Sequence, residues 1–332
     1  MKPLDMLMIL SLAVIWGVSF LLIGIAAPTL GPIGLVAARM LIASAALILY
    51  GRVSRRALPD LRNSWRAYLA LGALNSALPL VLEAFAVVEL SASMTAILAA
   101  TAPLFTVLAA AIWLGERLTL ANIIGVVLGF SGVVVLVGGG SLPPGESAWL
   151  AVGAALLAAF FYALGTIYAK VAFSGSSPLA LAIGQELLAG LLLLPLVMVN
   201  PPVAAPTPAV LAATLTLALV MTAGGNLLYF TLLARAGPTR TQTVSFLVPV
   251  VALLAGALLA GEPVSSASMA GLATIFAGVA LIARPMAAAR TSLPHSRRNR
   301  TVAPTGFTVA GPLYDRHSRR RNITGHGAPL GA

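Results

Sequence analysis

Leu114-Gly115-Glu116-Arg117-Leu118-Thr119 and Ala260-Gly261-Glu262-Pro263-Val264-Ser265 read as two versions of one turn, 146 residues apart. The same offset, without a gap, sets Pro32 against Pro178, Pro103 against Pro249, Gly125 against Gly271 and Gly132 against Gly278. Apolar segments match one another by chance through shared Leu and Ala. Pro, Gly and Glu held in register from residue 32 to residue 132 are much harder to obtain that way, so the chain is an internal repeat.

Around these turns the chain is too apolar for water. Of 332 residues 59% are hydrophobic and 9% charged, against about one quarter charged in soluble domains. Ten apolar runs, roughly 6–27, 32–51, 67–88, 91–114, 120–138, 148–170, 178–199, 209–233, 239–260 and 266–284, approach or exceed the ~20 residues that cross a bilayer as a helix. Their continuity excludes a barrel, whose strands alternate in polarity. The expected fold class is an all-α integral membrane protein with ten transmembrane helices. The offset maps runs one to five onto runs six to ten. The units are then 1–138 and 148–284, with a linker at 139–147 and a basic, disordered tail at 285–332 that is poor in large apolar residues.

Five crossings are an odd number, so the second unit must enter the membrane from the opposite side. Basic residues test this, because they favour the cytoplasmic side. With the N-terminus inside, Lys2, Arg52, Arg55, Arg56, Arg62, Arg66, Arg117, Lys170, Arg235, Arg240 and the tail all fall inside. The turns near 28–31, 89–90, 139–147, 200–208 and 261–265 contain no Lys or Arg. Of twenty basic residues only Arg39 escapes the rule. The reading is two inverted five-helix repeats in the cell inner membrane, with both termini cytoplasmic. Inverted repeats of this kind recur in secondary transporters, whose sites lie near the midplane between the halves.

The net charge of +11 resides in the tail and at helix ends, which argues against nucleic acid as a partner. Cysteine is absent, and His295, His317 and His326 all lie in the tail. No metal and no cofactor are therefore expected in the bundle, and the usual apparatus of a membrane-embedded enzyme is missing. No Gly-x-x-x-x-Gly-Lys-[Ser/Thr] segment occurs, so direct ATP drive is not expected either. The expected partners are a small-molecule substrate and the lipid bilayer, and a homodimer is left open.

Ionisable groups inside a membrane are costly and therefore candidates for function. Arg39 lies within run two and is placed to grip a carboxylate with its planar fork; an ion pair or a headgroup contact is the alternative. Glu83 and Glu186 are the carboxylates well inside the spans and are the candidates for carrying a coupled proton, with a solvated rim (Glu83) or a polar helix contact (Glu186) as the plainer roles. Trp16, Asn75, Tyr162, Asn226, Tyr229 and Gln242 are candidate substrate contacts, or else packing and interhelical hydrogen bonds. Trp16 and Tyr162 are equivalent under the offset. Pro79, four residues after Asn75, and Gly224-Gly225, just before Asn226, are expected to distort their helices locally. Glu116 and Glu262, with Pro103 and Pro249, read as structural: each Glu precedes a hydroxyl, Thr119 or Ser265, able to cap the next helix.

The run count and the two Gly-Glu signatures, together with Ala38-Arg39-Met40-Leu41-Ile42-Ala43, resemble the EamA family of the drug/metabolite transporter superfamily. The resemblance covers about residues 5–285. It implies a proton- or gradient-coupled exporter of an amino acid or other small metabolite, with export of a drug or lipid-like compound as the alternative; a membrane-embedded enzyme and a regulatory membrane protein are the lesser readings of the same residues. Gln185 stands where a duplicated Arg39 would be, so that charge is carried by the first unit alone.

Overall fold

In a computed structural model, the described residues are 3–139, 142, 145–173, 175–236, 241 and 244–282, and they form helices joined by turns, without strands. Helix α1 (Pro3–Val53) contains 51 residues, about 75 Å if straight, which is far more than one membrane thickness. It breaks at Gly31, which takes φ 71° between Pro28 and Pro32. The two expected runs are therefore its two arms.

The remaining elements follow the apolar runs: α2 (Leu61–Gly72), a π-helical turn (Ala73–Ala77), α3 (Leu78–Glu89), α4 (Ala92–Ala99), α5 (Ala102–Trp113), α6 (Leu120–Gly138), α7 (Glu146–Ala172), α8 (Pro178–Val199), α9 (Pro208–Thr216), a second π segment (Leu217–Gly224), α10 (Gly225–Ala236), α11 (Val244–Leu259) and α12 (Ser266–Ile282). Seven continuous helices are long and apolar enough to cross a membrane, counting α1 once, and α11 and α12 are shorter apolar helices. Large aliphatic side chains such as Ile112 (84% exposed) and Val134 (71% exposed) line the outer surface. In water that surface would be a defect; against lipid it is the expected one.

Side chains fix where helices begin. Thr119 Oγ1 accepts from the Asn122 amide at 3.1 Å and Ser265 Oγ from the Ser268 amide at 2.9 Å, as the repeated turn implies. Gly115 and Gly261 sit at φ 64° and 67°, a left-handed conformation that a residue with a Cβ resists. The expected run 91–114 is divided, however. Ser91 caps α4 through the Met94 amide at 3.1 Å, and the chain turns at Ala100-Thr101 before Pro103 opens α5. Its counterpart Pro249 lies inside a continuous α11.

Helices α6 and α12 cross at their glycines. A Cβ on Gly125 would lie 2.7 Å from the Gly278 carbonyl oxygen, and one on Gly132 would lie 2.8 Å from that of Gly271. The contacts are reciprocal and run antiparallel, the lower number on one helix meeting the higher on the other. Close approach through small residues is how helices associate in lipid, where the hydrophobic effect gives no help between them.

Candidate functional site

Two segments of altered winding lie at equivalent places and face one cavity. Pro79 lacks the N–H that would bond the Asn75 carbonyl, and Ala73–Ala77 just before it winds as π-helix. Leu217–Gly224 winds likewise ahead of Gly225. A π turn leaves main-chain groups free for other partners. Here the Trp16 indole donates to the Met221 carbonyl at 3.2 Å, and the Thr222 hydroxyl reaches the Leu217 carbonyl at 2.8 Å. The local distortion expected around Asn75 and Asn226 is therefore present.

Between these segments is a cavity of about 270 Å³ that takes side chains from both π segments, from both arms of α1 and from α3, α4, α5, α7, α8, α10 and α11. Trp16, Arg39, Asn75, Glu83, Tyr162, Glu186, Asn226 and Tyr229 all line it, and so do Pro103 and Pro249. Of the expected contacts, Gln242 lies outside the described residues.

Arg39 is 5% exposed. Its Nε donates to Thr222 Oγ1 at 2.5 Å, and it forms no ion pair among the described residues, where the one such pair joins Arg235 to Asp5 at 3.5 Å. It therefore lies inside the bundle rather than at headgroups, and it faces Glu83 and Glu186 through space without a direct salt bridge to either. Glu186 is 1% exposed. Its Oε1 accepts from Ser76 Oγ at 3.1 Å, from Gln185 Nε2 at 2.8 Å and from Asn226 Nδ2 at 2.8 Å. Its Oε2 is buried without a partner. Gln185 in turn accepts from Asn75 Nδ2 at 3.2 Å. Glu83, buried rather than at a solvated rim, accepts the Tyr162 hydroxyl at 3.2 Å on Oε2. Tyr229 packs on Trp16 with ring centroids 5.4 Å apart.

Sequence reasoning missed Ser76 and Thr222, which complete this network. Both sit in π segments beside expected distortion points, and that adjacency was the available signal. Glu262 departs from its expected place. Instead of serving its own turn, it accepts from the Ala92 and Ser93 amides at 3.0 and 3.1 Å, and from the Ser93 hydroxyl. A carboxylate there satisfies first-turn donors of α4 and complements its dipole. Glu116 is exposed and lines a second cavity of about 250 Å³ with Arg117, Lys170 and Thr166, the last of which also lines the first.

The EamA-like transporter family matches this sequence twice, over residues 4–138 and 149–284. The chain belongs to the EamA-like transporter family. This EamA-like protein is 32% identical to a probable terminal-alkyne amino-acid exporter of Streptantibioticus cattleyicolor, over 82% of the chain and 90% of that relative. It is 26% identical to the uncharacterized transporter YvbV of Bacillus subtilis, over 85% of the chain and 92% of the relative. A crystal structure shares the fold, with a TM-score of 0.62 and 20% identity, covering 85% of this EamA-like chain and 97% of the other.

Proposed function

We propose that this protein is a secondary transporter that exports an amino acid or a similar small polar metabolite across the inner membrane. Two inverted five-helix units, 1–138 and 148–284, form ten crossings, with both termini in the cytoplasm and the tail from 285 beyond them. Dividing α1 at Gly31 and counting α11 and α12 gives the ten. The antiparallel, reciprocal crossing of α6 and α12 and the doubled family match support the inversion.

The observation that carries the functional reading is the cavity's charge pattern. A buried guanidinium without a carboxylate partner shares one small space with two buried carboxylates. Groups left incomplete in a low-dielectric site are completed by a ligand of matching charge. Arg39 supplies a fork for a carboxylate, and Glu83 and Glu186 supply acceptors for an ammonium group or a coupled proton. The similarity to an amino-acid exporter supports the same class. Trp16 and Tyr229, with Phe20 and Leu80 nearby on the wall, favour a second reading: an amphipathic drug-like compound held against aromatic surface.

Accumulation of an amino acid in cells lacking the gene, relieved by re-expression, would support export. Medium and cell metabolomes that do not differ between deletion and overexpressing strains would refute it. A resistance profile without any amino-acid flux would favour the second reading.

A further inference from the structure

The charge count of the cavity constrains the net charge of what it carries. Among its lining residues Arg39 contributes one positive charge, and Glu83 and Glu186 contribute one negative charge each. The other polar groups bonded to Glu186 are neutral: Ser76 beside α3, Gln185 on α8 and Asn226 on α10, with Tyr162 on α7 bonded to Glu83. Asp5 and Arg235 offset one another in their own pair. With both carboxylates ionised, the buried site is therefore one positive charge short. An uncompensated charge in a membrane interior is strongly unfavourable, so one positive charge must enter whenever the site is closed.

Geometry says where it goes. Glu186 Oε1 is already surrounded by three donors, which hold the carboxylate in place and leave no room for a fourth hydrogen. Oε2 is buried and unpartnered. Glu83 has one oxygen on the Tyr162 hydroxyl, leaving its other oxygen to accept.

Resting on the transport reading above, we propose that the cavity exchanges one proton on Glu186 Oε2 for a substrate of one net positive charge, a diamino acid. The substrate carboxylate lies on Arg39 and one ammonium group on the open oxygen of Glu83, while the second ammonium group balances the charge of the buried Glu186 through space. The proton leaves Glu186 for water as the ammonium arrives, so the site is neutral in both states and exchange is electroneutral.

The test uses two probes with the same carbon chain, L-ornithine and L-norvaline, which differ by one terminal ammonium group. Calorimetry on the full-length protein in nanodiscs, in buffers of different ionisation enthalpy, reads affinity and proton release together. Wild-type protein should bind ornithine at least about tenfold more tightly than norvaline and release one proton per ornithine, with affinity falling about tenfold per pH unit on acidification. Glu186→Gln should abolish the proton release and flatten the pH dependence. Glu83→Gln should reverse the preference toward norvaline, a gain that a misfolded variant could not show. Norvaline bound as tightly as ornithine by the wild type, ornithine bound without proton release, or neither probe bound would each overturn the proposal. Metabolomic evidence for export of a neutral amino acid in any of those cases leaves the transport reading standing; unchanged metabolomes remove both.

Discussion

At the scale of single residues, Arg39 and Glu262 were visible in the sequence to different degrees. Arg39 was legible as an anomaly, because loop charge explained every other basic residue. Its burial and its bond to Thr222 were not legible, since nothing in the sequence places residue 222 beside residue 39. Replacing it tests what the fork does. Arg39→Lys keeps the charge but loses the planar guanidinium and its Nε–H to Thr222. Export should fall at least about tenfold while the melting temperature in detergent changes little, because one hydrogen bond is worth only ~1 kcal/mol. Unimpaired export in Arg39→Lys would assign the carboxylate elsewhere. Glu262 gives the opposite lesson. The motif marked it as structural, but its partners lie on α4, about 170 residues away in sequence. Local capping logic could not reach that far. Glu262→Ala leaves first-turn donors of α4 unsatisfied and should cost about 1–3 kcal/mol. Glu116→Ala, at an exposed position with no side-chain hydrogen bond among the described residues, should cost much less. Thermal unfolding of the two variants side by side measures the difference, and equal losses would contradict this account of the turn.

At the scale of elements, the helices were read well because apolar length and capping residues are local properties. The division of run 91–114 was not foreseen, since a Pro at 103 is compatible with both a kinked and a broken helix. Its equivalent Pro249 is accommodated without a break, so the choice depends on tertiary surroundings rather than on proline alone. The π segments lie between these cases. Pro79 and Gly224-Gly225 announced distortion, yet the carbonyls thus freed and the side chains that claim them became apparent only in three dimensions. Pro79 provides the direct test. Pro79→Ala restores the N–H that α-helical winding needs, and relieving an interior proline is worth up to ~3 kcal/mol. The variant should melt higher than wild type. It should also export more slowly, because rewinding Ala73–Ala77 rotates Asn75 and Ser76 away from Gln185 and Glu186. A variant more stable and equally active would mean that the π turn is a tolerated consequence of proline and not a part of the site.

At the scale of the whole molecule, the offset of 146 residues organises contacts as well as sequence. Gly125 meets Gly278 while its equivalent Gly271 meets Gly132, the pattern that a two-fold axis imposes on two copies. Antiparallel contact places that axis across the two helices, the arrangement on which the proposed inversion rests. Segments assigned to one side of the membrane by charge are also neighbours in space: the Val203 amide donates to the Thr29 carbonyl at 2.9 Å, and Glu262 reaches residues 92 and 93. Of the segments assigned by charge to the opposite side, Asp5 pairs with Arg235. The proposed crossings and their orientation can be measured together, and the chain is well suited to this because it contains no cysteine. Single substitutions Ser147→Cys and Val203→Cys should react in intact cells with a maleimide that cannot cross the membrane. Ser54→Cys and Lys170→Cys should react only after the membrane is permeabilised. Labelling of residues 54 and 170 from outside, with 147 and 203 protected, would invert the whole protein. A mixture within either pair would be more damaging, because two of the proposed crossings lie between residues 147 and 203 and four lie between 54 and 170, so the members of each pair must share a side.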